Sequence, residues 1–218
     1  RAFNVTAGWH EASVPMITMD VPRGGYVYLA EGVKGALKGT EARVIASNRI
    51  NDPVLAEQIL REGKADLISM GRALVADPEL PNKAREGRFD DIVTCVACNQ
   101  GCMDGLFDAH PITCMVNPLV GREGEIEIKP AERSRSVLVV GGGPAGMKAA
   151  QVAAMRGHQV SLSEKGDRLG GQLNLASVTP GREELGTIVK DLSVQLKKLG
   201  VKIRLGEEVT PSLVAKLK

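Results

Sequence analysis

The feature that most constrains the fold is a glycine-rich segment directly after an apolar stretch. Residues 136–140 read as a short buried strand, and the segment 141–146, Gly-Gly-Gly-Pro-Ala-Gly, follows it with the spacing G-x-G-x-x-G. A helical pattern covers 147–155, and a second strand over 159–163 ends at Glu164. Strand, glycine turn, helix, second strand and terminal carboxylate in this order predict a βαβ unit that binds a dinucleotide.

Each residue of this motif has a physical role in such a site. Gly141 allows the tight turn, Gly143 lets the backbone approach a pyrophosphate, and Gly146 lets helix and strand pack closely. The helix N-terminus offers unpaired N–H groups to the phosphates. Glu164 would accept hydrogen bonds from a ribose and disfavours a 2′-phosphate, so FAD or NAD is favoured over NADP at this site. A glycine turn that serves packing alone is the other interpretation.

All four cysteines of the chain lie close together, ahead of this unit. They are Cys95, Cys98, Cys102 and Cys114. Three sulfurs in a short loop and a fourth beyond it suit a shell of four thiolates, as an iron–sulfur cluster or a structural zinc ion requires. The three-plus-one spacing favours the cluster, because zinc sites usually present two paired C-x-x-C arms. Disulfides are the remaining alternative and are rare in a reducing compartment.

The N-terminal part of the chain alternates strands and helices. Strands are predicted over 3–8, 43–47 and 65–71, with a helix that begins at Asp52-Pro53, an acidic N-cap followed by proline, and another from Asp77 to Glu86. This alternation predicts βα units and a parallel sheet, and therefore an α/β protein.

Composition excludes several classes of function. A formal net charge of +2 and an aromatic content of 3% do not indicate a nucleic-acid partner. No apolar run is long enough to span a membrane, and the first residues lack the features of a secretory signal. A cytoplasmic protein is therefore expected. The chain does not begin with Met, and it is interpreted as an internal fragment of a longer protein.

Together these motifs resemble the 2,4-dienoyl-CoA reductase branch of the old yellow enzyme family, whose architecture trimethylamine dehydrogenase shares. The resemblance covers essentially all 218 residues. The residues that carry it are Gly8-Trp9-His10-Glu11, Asn48-Arg49-Ile50-Asn51-Asp52-Pro53, Gly71-Arg72, the four cysteines, the GGGPAG segment and Gly170-Gly171-Gln172. The three-residue gap before Cys102 resembles the reductases, since the gap in trimethylamine dehydrogenases is two.

The resemblance implies a fold and an electron path. Residues 1–90 would be the last βα units of an FMN-binding TIM (β/α)8 barrel, 91–128 the segment that holds a 4Fe-4S cluster, 129–135 a linker, and 136–218 the start of a Rossmann-like domain for FAD and NAD(P)H. Electrons would run from NAD(P)H through FAD, the cluster and FMN to a small-molecule activated alkene, such as an enoate or a CoA thioester. Because most of the barrel is missing, no activity is expected from these 218 residues alone.

The resemblance also implies roles for particular residues. His10 and Glu11 would take part in substrate binding and proton transfer, and Arg49, Gly71 and Arg72 would contact the FMN phosphate at the ends of barrel strands. The further FAD contacts that it implies are Ala145, Glu164, Gln172 and Arg182, with Val209 as another candidate. The family's proton-donating tyrosine belongs to an earlier strand, and Tyr26 and Tyr28 do not replace it.

Three alternatives remain at this point. An amine N-demethylating dehydrogenase would use the same cofactor layout with electrons in the opposite sense. An electron-transfer module would carry a cluster and FAD without a substrate of its own. A zinc-stabilised NAD-binding protein would explain the cysteines and the glycine motif without iron.

Overall fold

The chain folds into two compact units, Arg1–Arg122 and Glu123–Lys218. The computed structural model describes residues 1–8 and 17–216, without the side chain of residue 216. Each unit contains a three-stranded parallel sheet, as the α/β pattern predicts. The four cysteines lie within the first unit and do not form a unit of their own, and the division falls before residue 128, the predicted end of their segment.

In the first unit the sheet has the order β1-β2-β3. The elements are β1 (Ala2–Val5), α1 (Val27–Ala36), β2 (Arg43–Ala46), α2 (Pro53–Arg61), β3 (Leu67–Ile68), α3 (Arg72–Ala76), α4 (Leu80–Arg85), a 3₁₀ turn (Phe89–Asp91) and α5 (Met103–Phe107). In the register Phe3 lies opposite Val44, and Ile45 lies opposite Leu67.

The core of this unit forms between the central strand and the helices that follow the strands. Val44 and Ala46 are fully buried on one face of β2, where they pack with Ala30 of α1 and Ile59 of α2. The period of two along β2 places both side chains on that face. α2 begins as predicted, because the carboxylate of Asp52 accepts the backbone N–H of Val54 at 2.8 Å.

The strands are shorter than the sequence pattern indicates. β1 ends at Val5 rather than at residue 8, and β3 covers Leu67–Ile68 rather than 65–71. The cause lies in β2, which ends at Ala46. The next residue, Ser47, donates its hydroxyl to the carbonyl of Val5 at 2.5 Å, and Asn48 takes a left-handed φ of 72° that ends the strand.

The helix predicted from Asp77 to Glu86 is shorter in the structure, where α4 covers Leu80–Arg85, and α3, which lies before Asp77, was not predicted. Asp77 lies between these two helices and is 3% exposed. Its carboxylate accepts the N–H of Val93 at 2.8 Å and pairs with the ammonium of Lys83 at 2.7 Å. Lys83 also donates to the carbonyl of Asp91 at 2.9 Å. This buried pair therefore anchors the segment that leads to the first cysteine.

We expect Asp77→Ala to destabilise the first unit by about 3 kcal/mol, because it leaves the Lys83 ammonium largely buried without its carboxylate. The free energy of unfolding from urea titration, followed by circular dichroism, measures this effect. Asp90→Ala, which removes an exposed carboxylate from the same region, is the control and should change the free energy by less than about 0.5 kcal/mol. Equal effects of the two substitutions would show that the buried pair does not stabilise the unit.

The second unit contains the predicted strand, glycine turn, helix and strand. Its elements are β4 (Ser136–Val140), α6 (Pro144–Met155), β5 (Gln159–Glu164), α7 (Leu173–Ala176), α8 (Leu185–Lys198), β6 (Lys202–Leu205) and α9 (Pro211–Lys216). The strand order is β4-β5-β6. Met147, Leu162 and Leu196 are fully buried where α6 and α8 pack on the sheet. In the described part of the chain, no helix is both long and apolar enough to cross a membrane.

Candidate functional site

A cavity of about 340 Å³ opens at the C-terminal ends of β1, β2 and β3. Residues 6–8 line it after β1, residues 47–51 after β2, and residues 71–73 after β3. Parallel strands present their C-terminal ends at one edge of a sheet, which is where α/β proteins bind ligands. The volume lies within the usual range for ligand pockets, about 300–1,000 Å³. We call this cavity the strand-end cavity.

Hydrogen bonds from one asparagine fix the wall of the strand-end cavity. Asn48 accepts the hydroxyl of Thr6 at 2.9 Å and the N–H of Ala7 at 3.2 Å, and its own side-chain amide donates to the carbonyl of Ala7 at 2.7 Å. Asn48 and Arg49 both have left-handed φ values, 72° and 53°, which asparagine tolerates better than arginine does. The wall is thus held in a conformation that its sequence alone would not favour.

The three residues predicted to contact an FMN phosphate all line this cavity. They are Arg49, Gly71 and Arg72. Arg49 is 4% exposed, and its Nε donates to the carbonyl of Val21 at 2.7 Å. A Cβ added at Gly71 would meet no atom within 4 Å, so the backbone there faces open space. The structure brings these residues together, whereas His10 and Glu11 lie outside the residues that it describes.

Asn51 belongs to this cavity as well, although sequence reasoning gave it no role. It is 5% exposed and donates its side-chain amide to the backbone carbonyl of Cys95 at 2.6 Å. Among the described residues, nothing donates a hydrogen bond to its buried Oδ1. Buried polar atoms are normally paired, so an unpaired oxygen in the lining of a cavity fits a bound group with a donor, such as a flavin.

The four cysteines line a second, smaller cavity in the same unit. Its volume is about 20 Å³, and we call it the cysteine cavity. The loop from Cys95 to Cys102 wraps around it through two left-handed residues, Ala97 with a φ of 51° and Asn99 with a φ of 61°. The backbone therefore turns twice within one short loop, and the three cysteines of this loop line the same cavity.

The fourth cysteine reaches the cavity because two backbone segments approach closely. The N–H of Thr113 donates to the carbonyl of Gly101 at 2.9 Å, directly before Cys114. A Cβ at Gly101 would lie 2.7 Å from the carbonyl oxygen of Thr113, a distance that real Cβ atoms do not show. Glycine at position 101 is therefore required for the approach of the two segments.

The cysteines are free, half-buried thiols. Burial raises the pKa of Cys95 and of Cys102, while the positive charge of Arg72 acts on both in the opposite direction. Within the described residues, no three His, Cys, Asp or Glu side chains are placed to hold a metal ion. A single Zn²⁺ needs its sulfurs about 2.3 Å from one point. The four cysteines that line this cavity supply the number of thiolates that a 4Fe-4S cluster requires.

In the second unit the glycine motif has the geometry that its sequence predicts. Gly141 has a φ of 99°, and a Cβ at Gly146 would lie 2.0 Å from the carbonyl oxygen of Gly141. A Cβ at Gly143 would meet no atom within 4 Å, which leaves space for a phosphate beside the backbone. The second glycine turn lies next to the first, because the N–H of Gly170 donates to the carbonyl of Gly142 at 2.8 Å.

Glu164, which is predicted to bind a ribose, forms two hydrogen bonds that hold the glycine turn. One carboxylate oxygen accepts the N–H of Gly142 at 2.6 Å, and the other accepts the N–H of Gly166 at 2.7 Å. These two backbone bonds, that from Gly166 first, lower the pKa of Glu164. A carboxylate has about four acceptor positions, so two remain for ribose hydroxyls.

The other predicted FAD contacts lie around the same edge of the sheet or beyond it. Ala145 is exposed in the first turn of α6, and Gln172 is exposed directly before α7. Arg182 is exposed in the turn before α8, where its N–H donates to the carbonyl of Thr179 at 3.0 Å. Val209 lies half-buried between β6 and α9. The structure thus brings the glycines and Glu164 together and places Arg182 on a separate turn.

Three features together define a class of protein, the flavin-dependent oxidoreductases. They are the strand-end cavity, the cysteine cavity and the glycine turn. Residues 3–91 match the NADH:flavin oxidoreductase / NADH oxidase family, and residues 136–202 match the family described as FAD dependent oxidoreductase. The first of these segments therefore belongs to the NADH:flavin oxidoreductase family, and the second belongs to the FAD-dependent oxidoreductase family. These matches confirm the predicted class and its flavin and nicotinamide cofactors.

Individual relatives match over nearly the whole chain. A metal reductase of Desulforamulus reducens is 50% identical over 97% of this chain and 31% of its own length. An NADH oxidase of Thermoanaerobacter brockii is 44% identical over 100% of this chain and 33% of its own length. The solved structure of a 2-naphthoyl-CoA reductase in complex with 2-naphthoyl-CoA is 40% identical with a TM-score of 0.94, covering 99% of this chain and 33% of that one. The chain thus spans about a third of the length of these relatives.

Proposed function

We propose that this protein reduces a conjugated C=C bond with electrons from NAD(P)H, passed through FAD, a 4Fe-4S cluster and FMN. The observation that carries the proposal is the arrangement of two cavities in one unit. The strand-end cavity and the cysteine cavity share three lining residues, Arg72, Cys95 and Ala97. A cofactor held at the strand ends would therefore lie next to a group held by the cysteines.

In this proposal FMN binds at the strand-end cavity. Arg49 and Arg72 supply positive charge for the phosphate, and the backbone at Gly71 allows its close approach. Asn51 presents its unpaired Oδ1 to a donor on the bound group. His10 and Glu11, which follow β1 in the sequence, would bind the substrate and transfer its proton. The substrate is a small molecule, an enoate or a CoA thioester.

The cluster is held by the thiolates of Cys95, Cys98, Cys102 and Cys114, and FAD by the glycine turn of the second unit. Gly141, Gly143 and Gly146 shape that turn, Glu164 accepts the ribose hydroxyls, and Ala145, Gln172 and Arg182 make further contacts. The proposed domains are 1–90 for the barrel part, 91–128 for the cluster, 129–135 for the linker and 136–218 for the Rossmann-like part. Oxidative N-demethylation of an amine is the second candidate, which the same cofactor layout allows.

A substrate comparison in the anaerobically purified holoenzyme tests this proposal. Conjugated enoates and their CoA thioesters should support NAD(P)H oxidation, whereas N-methylated amines with an artificial electron acceptor should not. Cys114→Ser should leave reduction of FAD by NAD(P)H intact and slow alkene turnover by at least about 100-fold, or about 2.7 kcal/mol in the barrier. Turnover of amines alone would favour the second candidate. Undiminished alkene turnover in Cys114→Ser would contradict the proposed electron path.

A further inference from the structure

We propose that Arg72 sets the reduction potential of the cluster, as a positively charged residue shared between the cysteine cavity and the strand-end cavity. The inference rests on the proposed function, because it takes the four cysteines as the cluster ligands. It assigns Arg72 a second role besides phosphate binding, because the charge of Arg72 would act on the cluster that carries the electrons.

The position of Arg72 distinguishes it from the other arginine that is predicted to bind the phosphate. Arg72 is the first residue of α3 and comes directly after Gly71, in the segment that follows β3. It lines both cavities, whereas the other predicted phosphate ligand, Arg49, lines the strand-end cavity and is absent from the described lining of the cysteine cavity. The two arginines are therefore not equivalent, although both follow the ends of neighbouring parallel strands.

The second observation is the contact that holds the side chain of Arg72. Its guanidinium donates a hydrogen bond to the side-chain oxygen of Asn99, which lies between Cys98 and Cys102 in the chain. Asn99 is 9% exposed, and its backbone carbonyl accepts the N–H of Met103 at 3.0 Å, where α5 begins. Arg72 is thus fixed against the loop that presents the sulfurs, by a partner that is itself buried and bonded.

The third observation is the charge around the cysteine cavity. Among the described residues that line it, Arg72 alone carries a fixed charge, and the remaining ones are apolar, neutral polar or cysteine. It shares this lining with all four cysteines. A single cation interacts more strongly with a nearby change of charge at a partly buried site than at the open surface, because screening by water and salt is weaker there.

These observations have a direct redox consequence. Each NAD(P)H would give two electrons to FAD, which would pass them to the cluster one at a time. Arg72 would stabilise the one negative charge that each electron adds to the cluster. The charge leaves again when the electron passes to FMN, so no proton or further reactant is needed. A cation beside the cluster favours its reduced form and raises its potential. Removal of the cation should lower the equilibrium constant for reduction by about tenfold, which equals about 59 mV for one electron.

The test is a redox titration of the anaerobically purified holoenzyme, with the electron paramagnetic resonance signal of the reduced cluster as the readout. Arg72→Gln should lower the midpoint potential, Arg72→Lys should restore most of the wild-type value, and Arg49→Gln should leave it unchanged. A residue that only supports the fold would not produce this dependence on charge. An unchanged potential in Arg72→Gln, or equal shifts in Arg72→Gln and Arg49→Gln, would overturn the inference.

Loss of the cluster in the neutral variant is also decisive. Arg72→Met provides a second neutral side chain of similar length. If both neutral variants lack the cluster while Arg72→Lys retains it, Arg72 is needed for assembly and the inference is overturned. Absence of an iron–sulfur signal in the wild-type holoenzyme would overturn the proposed function together with the inference, whereas a wild-type signal with an unshifted Arg72→Gln potential would overturn the inference alone.

Discussion

Replacing Gly101 by alanine is expected to abolish binding of the iron–sulfur cluster. The added Cβ would lie 2.7 Å from the carbonyl oxygen of Thr113, so the two backbone segments must separate. Cys114 follows Thr113 directly and would move away from the three cysteines of the other segment. The expected result is loss of iron and of the visible absorbance of the cluster. Flavin bound at the second unit, which is remote in sequence, should be retained.

Gly35→Ala in α1 is the matched control for this substitution. A Cβ at Gly35 meets no atom within 4 Å, and alanine in a helix is favoured over glycine by about 0.5–1 kcal/mol. The control should therefore keep its full iron content and unfold at the same or a higher temperature. Wild-type iron content in Gly101→Ala would show that the close approach of the two segments is not needed to bring Cys114 to the others.

The second large effect is expected at the glycine turn, where two glycines should respond differently to alanine. Gly143→Ala should lower FAD affinity by at least about tenfold, or about 1.4 kcal/mol, because the new methyl group takes the space left for a phosphate. The free energy of unfolding without FAD should stay within about 0.5 kcal/mol of wild type, since this methyl group meets no protein atom. Titration of apoprotein with FAD, followed by flavin fluorescence, measures the affinity.

Gly146→Ala should instead destabilise the second unit itself. Its Cβ would lie 2.0 Å from the carbonyl oxygen of Gly141, so α6 must move away from β4 even when no FAD is bound. Thermal unfolding of the apoprotein separates the two cases, because Gly146→Ala should unfold at a lower temperature and Gly143→Ala should not. Wild-type FAD affinity in Gly143→Ala would contradict a pyrophosphate at this turn.

Local signals allowed much of this fold to be predicted from the sequence. The acidic N-cap and proline at Asp52 and Pro53 fix the start of α2 through bonds between near neighbours. The glycine motif predicted the parallel pair β4 and β5 with α6 between them, because the roles of its glycines depend on backbone geometry alone. Such features are decided within a few residues of chain, which is why a sequence pattern identifies them.

Features that depend on distant partners were not predicted. Asp77 accepts the N–H of Glu79 at 3.1 Å, a local bond, but it is also buried and pairs with Lys83 and the N–H of Val93, which no sequence pattern indicates. Asn51 precedes a capping residue and has no motif of its own, and its bond to Cys95 joins residues that are far apart in the chain. Ala97 has a left-handed φ that no sequence signal for alanine indicates.

The candidate site also combines features that the sequence predicted with features that depend on packing. Residue types and spacing gave the cysteines and the glycine turn, whereas the family resemblance gave Arg49, Gly71 and Arg72. The cysteines and these three residues line the two cavities. The sequence did not reveal that Arg72 and Cys95 line both cavities, because that depends on how α3 and the cysteine loop pack. The close approach at Gly101 has only one sequence signal, a glycine beside a cysteine.

The central claim is that four thiolates bind a cluster of iron and sulfide in the first unit. Its most direct measurement is the metal and acid-labile sulfide content of the protein, purified without oxygen and without added metal, compared with that of Cys114→Ser. We predict iron and sulfide in equal amounts in the wild-type protein and a loss of both in Cys114→Ser. Zinc without iron or sulfide in the wild-type protein would contradict the account.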